Sequence, residues 1–484
     1  MRGNWSRVLP YLLILAGLAL RLHGLTFQSL WRDEVDALRF AQSGAVTSLS
    51  QLGWNGPLYT WLLAAWVRVA GTTEFALRFS SVIPGVLLLP VLLQLGRRLA
   101  PPAGGGRRSL GRHHGSTSDG TGLFAVALGA CSPYLVWYSQ ELKMYSLLCL
   151  LGAVSTATLL AVLERGGARR WATYVLVTAT APYVHVLGVL LVPAQVLAYL
   201  VAWPRRRPRG VPFALAVGLM VLPYVPLAAW QAPLLLSAFR TGHPYYPLPQ
   251  VLSILSRGWT LGILASAQPL LLVPFALAAV GLVLPPRATA EVRFLLCWLA
   301  VPVLLVHLIS LRSPIFTDRY LIASLPALLL LLALGLHRAH ARSRVVGVAV
   351  GTALLAASLY GVHLQSSYSI KTDARGAADI IRRHWQPGDA LVMQIPYLRH
   401  SLDYYLGQGY TFIEGPYTND GASAEEVDRY LRSKVEGLER AWLLLSEADM
   451  WDQPGLTEAW FLQHGDRQGL WELARVRLYL FRLP

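Results

Sequence analysis

The chain is 484 residues long, 54% hydrophobic and only 14% charged, with a mean hydropathy of +0.44; an ordinary soluble domain carries about 25% charged residues. That balance excludes a soluble globular protein over most of the length. The net charge of +16 does not point to nucleic acid, because the basic residues sit in short loops between apolar runs, where they set membrane topology.

Arg2 and Arg7 precede a first apolar run at 8–20, and Leu20-Arg21-Leu22-His23 offers no small-residue cleavage site, so an uncleaved first span is expected in place of a signal peptide. Further runs follow at 86–95, 147–163, 186–203, 211–230, 270–284, 294–311, 321–336 and 345–364. Several reach the roughly 20 residues a bilayer requires, and proline-broken runs are tolerated where neighbouring helices satisfy the freed backbone. Arginines at 97, 98, 107, 108, 112, 165, 169, 170, 205–207, 209, 287, 293, 338, 342 and 344 all fall on one side if there are about eleven spans. That side is expected to be cytoplasmic, with the N-terminus inside and the C-terminus outside. Cys131, Cys149 and Cys297 lie in or beside apolar segments and give neither a disulfide framework nor a metal site.

The outer side then carries residues 26–73, the turn at 132–145, the stretch near His185, and the loops at 231–266 and 312–320. The first of these is too long for a hairpin, and its 57–69 stretch reads as an amphipathic surface helix with Trp61 and Trp66 suited to the interface. Residues 1–365 hold nine acids, six of them in outer loops. From 366 to 484 there are 17 acids and 13 bases. Helix patterns at Ala374–His384, 399–406 and 425–438 alternate with strand patterns at 390–395, 441–445 and 476–481, which predicts a small periplasmic α/β domain. This tail has no glycine-rich phosphate loop, nucleophile elbow or metal-ligand cluster.

Five groups of residues carry possible chemistry. Asp33-Glu34, in Leu30-Trp31-Arg32-Asp33-Glu34, puts two carboxylates just past the first span, where acids are expensive. They can serve as a base for an acceptor hydroxyl or cap the helix that follows. Ser132-Pro133-Tyr134 and Tyr138-Ser139-Gln140-Glu141-Leu142-Lys143-Met144-Tyr145 form a polar outer turn. Its Lys143, the sole lysine before residue 366, suits either a phosphate contact or snorkelling to headgroups. Arg319-Tyr320 can hold a phosphate, or can be a surface arrangement with Asp318 and a belt tyrosine. His185, at a span end, reads first as structural. Asn55-Gly56-Pro57-Leu58-Tyr59 is a strong turn signal in which Asn55 can face a site.

Taken in order, Trp31-Arg32-Asp33-Glu34, Gly56-Pro57-Leu58-Tyr59, Glu74-Phe75-Ala76-Leu77-Arg78-Phe79, Ser139-Gln140-Glu141 with Tyr145, Tyr183 with His185, and Arg319-Tyr320 resemble the bacterial family 39 branch of the GT-C glycosyltransferases. That group contains protein O-mannosyltransferases and the aminoarabinose transferase of lipid A, and the resemblance spans residues 5–365. It implies a polytopic helical GT-C membrane domain over 1–365, a large catalytic first outer loop at 26–73, and a soluble domain over 366–484. It also implies inverting transfer from a polyprenyl-phosphate-linked sugar to a protein, lipid or glycan acceptor, outside the cytoplasmic (inner) membrane. By position, Asp33 and Glu34 match the family's acidic pair, with Asp33 as base. Lys143, Arg319, Tyr320 and Tyr145 would hold the donor phosphate, and Asn55, Gln140, Glu141 and His185 would contact substrate. The family's motifs imply no metal and no cofactor. Asn55 stands where the aminoarabinose branch carries an acid, which favours a mannosyltransferase-like branch or an uncharacterised relative. Lys143 stands where many relatives carry arginine. The competing readings are a transporter or lipid-linked glycan flippase, and a polymerase or ligase of lipid-linked glycans on the same architecture.

Overall fold

The computed structural model describes residues 2–43, 56–100, 117–202, 210–236, 243–265, 268–283 and 289–484. The chain divides into two compact units: Met1–Leu25 with Ala41–Ser367, and Thr26–Phe40 with Tyr368–Pro484.

The first unit is a membrane-spanning helical bundle. Among the described residues, Glu74–Leu99, Tyr145–Arg165, Gly210–Ala229, Ala290–Ser310, Asp318–Arg342 and Arg344–Ser367 are each long and apolar enough to cross a bilayer. The pair Gly120–Cys131 and Pro133–Ser139, bent by 55°, is together also long and apolar enough, as a broken span or a re-entrant loop. Three further helices, Arg2–Leu22, Leu191–Ala202 and Val273–Val280, stand where the remaining apolar runs predicted spans, and Ala168–Val184 forms outside those runs. Pro57–Ala70, the expected surface helix, forms as a separate element; its Trp66 donates to Ala76 O at 2.8 Å, while Trp61 is exposed.

The bend at Ser132 follows from Pro133. Having no N–H, Pro133 cannot serve the Gly129 carbonyl four residues back. Arg21 supplies the missing donors: its guanidinium reaches Gly129 O at 3.0 Å and Ala130 O at 3.3 Å, and its Nε reaches Ser139 Oγ at 3.2 Å. The side chain is fully buried, and its charge also complements the C-terminal end of the helix dipole. Capping runs the other way as well. Gln140 Nε2 donates to Arg21 O at 3.0 Å and His23 O at 2.7 Å, closing the end of the Arg2–Leu22 helix. The 132–145 turn is thus locked to the first helix by two long-range caps.

The second unit is a five-stranded sheet with β1 (Ala390–Met393), β2 (Thr411–Glu414), β3 (Arg440–Leu445), β4 (Asp466–Leu473) and β5 (Val476–Arg482) in the order β2-β1-β3-β5-β4. The first three strands are parallel and β5 and β4 are antiparallel additions. Period-two alternation sends Trp442 and Leu444 to one face, with Ala377, Ile381 and Leu402. It sends Ala441, Leu443 and Leu445 to the other, with Val427, Leu431 and Phe461. Helices Ala374–His384 and Arg399–Leu406 therefore cover one side, and Ala424–Val435 and Leu456–His464 the other, a doubly wound arrangement.

Two features differ from the sequence expectations. β2, β4 and the Leu456–His464 helix were not anticipated: β2 is short and half exposed, and β4 is a polar edge strand with a register shift between Arg467 and Gly469. Residues 26–40, placed with the membrane half as part of the 26–73 loop, belong to the second unit. Their polar side chains explain this. Gln28 Oε1 accepts from Ile370 N at 3.0 Å and Lys371 N at 3.2 Å, Ser29 Oγ donates to Asp373 at 2.6 Å, and Arg375 reaches Thr26 O and Phe27 O at 3.0 and 2.9 Å.

Candidate active site

In the first unit, Ser132 accepts from Leu135 N at 3.3 Å and starts the short Pro133–Ser139 helix. One turn later the chain reverses, with Lys143 N donating to Glu141 O at 2.7 Å, and Tyr145 opens the next span. The result is a chain of aromatic rings. Tyr134 and Tyr138 lie 4.7 Å apart, Tyr138 and Tyr145 5.2 Å. Tyr145 then faces His185 at 6.3 Å and Tyr320 at 6.5 Å, and His185 meets Tyr320 at 4.8 Å. His243 closes on Tyr320 at 6.2 Å.

Charge is set into this aromatic wall. The Arg319 guanidinium lies 5.7 Å from the Tyr145 ring and 6.0 Å from the Tyr320 ring, within cation–π range. Tyr134 OH donates to Asp318 Oδ2 at 3.0 Å. Lys143 and Glu141 are both buried. Tyr145, Lys143, Glu141, His185, Arg319 and Tyr320 all lie in this first unit.

His185 sits in the break between the Ala168–Val184 helix and the Val186–Leu190 turn. Its Nδ1 accepts from Leu187 N at 3.2 Å, so the neutral ring carries its proton on Nε2. Nε2 is buried and has no hydrogen-bond partner among the described residues. Burial first, then the Lys143 and Arg319 charges, lower the imidazole's affinity for a second proton. The group is thus a buried neutral N–H donor that feels the charge of two cations. Buried donors of this kind, pre-oriented in a water-poor site, suit an anionic group.

Gln140 is committed to the carbonyls of the first helix. Asn55 lies outside the described residues. Sequence reasoning did not name Asp318 or His243 as a site group, and took Tyr134 and Tyr138 only as members of the polar 132–145 turn. Asp318 was read only as a surface neighbour of Arg319, whereas its carboxylate takes the hydroxyl of Tyr134, 184 residues away. The Tyr134-to-Tyr138 spacing, one helical turn, was the available signal.

In the second unit, Asp33 and Glu34 occupy the first turn of the Arg32–Gln42 helix and part company. Glu34 is fully buried; its Oε2 accepts from Lys371 Nζ at 3.0 Å and Trp31 N at 3.4 Å. Asp33 is half-buried. Its neighbour Arg32 stacks over the Tyr397 ring at 3.9 Å. Among the described residues there is no group of three His, Cys, Asp or Glu placed to hold a metal ion.

No protein-family model matches the chain, and no curated protein matches it in sequence. Solved structures do. ArnT from Cupriavidus metallidurans in the apo state superposes with a TM-score of 0.61 at 13% identity, covering 97% of this chain and 97% of that one. The same protein bound to undecaprenyl phosphate gives a TM-score of 0.58 at 13% identity, with 99% and 98% covered. The arabinofuranosyltransferase AftD from Mycobacteria gives 0.53 at 14% identity, covering 99% of this chain but 40% of its own. The chain shares the fold of these proteins, a helical membrane part with a small C-terminal sheet domain.

Proposed function

We propose that this chain is an integral membrane glycosyltransferase. It moves a sugar, mannose-like or a pentose, from a polyprenyl-phosphate donor to a protein, lipid or glycan acceptor on the outer face of the cytoplasmic membrane. The observation that carries this reading is the buried Lys143 and His185 Nε2–H together with the half-buried Arg319 beside tyrosine rings. Two cations and a neutral donor among rings suit a lipid-borne phosphate better than a free solute. The fold shared with ArnT, a protein solved with undecaprenyl phosphate bound, supports the same donor class. The Arg-rich loops support an inside N-terminus and an outside C-terminus.

In the proposed step, Asp33 takes the proton of the acceptor hydroxyl. The hydroxyl oxygen forms the new bond to the anomeric carbon from the face opposite the phosphate. The anomeric C–O bond breaks, and its electron pair leaves on the polyprenyl phosphate, so configuration inverts. Lys143 and Arg319 stabilise the developing phosphate charge, often the largest catalytic contribution, with Tyr145 and Tyr320 fixing the guanidinium. Glu34, buried and paired with Lys371, suits an anchoring role.

The test is release of polyprenyl phosphate by purified protein in nanodiscs, given synthetic polyprenyl-phosphate mannose, arabinose or glucose together with cell-envelope extract. Release that depends on Asp33 supports the proposal. Lipid or solute movement with no release from any donor supports the transporter reading in its place.

A further inference from the structure

We propose that the second unit carries a saccharide-binding groove at the carboxyl ends of β1 and β2, built for a neutral, hydroxyl-rich glycan chain. The groove encloses about 620 Å³ and begins where β2 ends, the end of an open parallel sheet at which ligands bind. Its walls are Glu414, Tyr417, Asp420, Glu426 and Tyr430, and its floor is the backbone at Gly415 and Pro416.

Beneath that floor lies Gln394, fully buried. Its Nε2 donates to Pro416 O at 3.1 Å. Its Oε1 has no hydrogen-bond partner among the described residues and lies where a Cβ on Gly415 would come within 3.3 Å of it.

The wall is built rather than loose. Thr418 Oγ1 bonds Asp452 at 2.5 Å, and the same carboxylate caps the next helix through Leu456 N and Thr457 N at 3.0 and 2.9 Å. Trp451 Nε1 donates to Gly415 O at 3.3 Å, and its ring supports Tyr417 edge-on at 5.0 Å. Tyr417 is nevertheless 45% exposed, a ring held in place with a face left open.

The lining chemistry selects the ligand. Three carboxylates and no cation line the groove, which disfavours phosphates and other anions. Carboxylates accept from hydroxyls, and an exposed aromatic face covers the C–H face of a sugar ring. That this glycan is the transferase's acceptor rests on the function proposed above; binding to the groove does not.

The experiment is saturation-transfer NMR and titration of the full chain in nanodiscs with neutral tetrasaccharides of mannose, galactose or arabinose, beside a phosphorylated tetrasaccharide. At least one neutral probe should bind and the phosphorylated one should not. Tyr417→Ala and Glu414→Gln, both at exposed positions, should each weaken binding by about tenfold, the scale of 1.4 kcal/mol. No binding of any neutral probe, or binding unchanged in both variants with thermal unfolding also unchanged, overturns the groove. Binding lost in Tyr417→Ala with a raised acceptor KM and unaltered donor release from water-only controls supports the acceptor role. Binding lost with acceptor KM unmoved overturns that role and leaves the groove. Binding present in a chain with no transferase activity at all overturns only the function it was linked to.

Discussion

Lys371 Nζ lies 3.0 Å from Glu34 Oε2, and both side chains are buried. The pair joins the first turn of the Arg32–Gln42 helix to the segment that leads into the sheet unit. It also separates two adjacent acids that the sequence treats alike. Glu34 anchors the helix, and Asp33 beside it remains half-buried and is the group proposed to take a proton.

Removing one member of a buried ion pair strands the other, at a cost of roughly 3–5 kcal/mol. Lys371→Met and Glu34→Gln are therefore expected to lower the thermal unfolding temperature of the purified chain. Asp33→Asn should cut turnover by about 10²–10⁴-fold, the contribution of a general base. Calorimetry beside donor-release kinetics checks both. Full turnover in Asp33→Asn would remove it from the base role.

Lys143→Met and Arg319→Gln are each expected to cut kcat by roughly 10²–10³-fold, as loss of one preorganised charge contact does. Binding of polyprenyl phosphate as product should weaken in parallel. His185→Asn, which loses the Nε2–H aimed among those cations, should weaken product binding without altering the helix register. Steady-state kinetics with product-inhibition constants reads all three.

The bundle was legible because long apolar runs and arginine-rich loops are one-dimensional signals, and the helix patterns at Ala374–His384 and Arg399–Leu406 recur in the structure with the same bounds. Short or edge elements were not, since β2 and β4 draw their stability from neighbours rather than from their own pattern. The site behaves likewise. Tyr145, His185 and Arg319-Tyr320 could be singled out locally. The Tyr134–Asp318 bond and the Arg21 cap over Pro133 join residues more than a hundred positions apart, and no spacing rule encodes them.

Asp428 ties two helices of the sheet unit together, accepting from Arg432 Nε at 2.9 Å and from Trp460 Nε1 at 2.8 Å. The Arg432 bond first, then the Trp460 bond, hold its carboxyl below the usual carboxylate range. A carboxylate whose folded pKa lies below its unfolded value stabilises the fold above the unfolded pKa, about 3.9. That contribution is lost as pH falls through the folded value. Asp428→Asn should therefore flatten part of the fall in unfolding temperature between about pH 5 and 3, while lowering the temperature at neutral pH. Identical acid profiles for the two proteins would show that Asp428 adds nothing to acid stability.

Gly56 ties the start of the Pro57–Ala70 helix to the histidine break. Its N–H donates to Val184 O at 3.0 Å, and a Cβ at this position would lie 1.9 Å from Tyr183 O and 2.7 Å from Val184 N. Those atoms are backbone and directly precede His185, so Gly56→Ala must push the break aside. Misplacing a positioning group by about 1 Å can cost on the order of 10²-fold in rate, and a loss of that size is expected for donor turnover. Groups acting through one another are non-additive. In a His185→Asn background the Gly56→Ala loss should shrink towards nothing. Equal losses in both backgrounds would mean that Gly56 supports the site by a route other than His185.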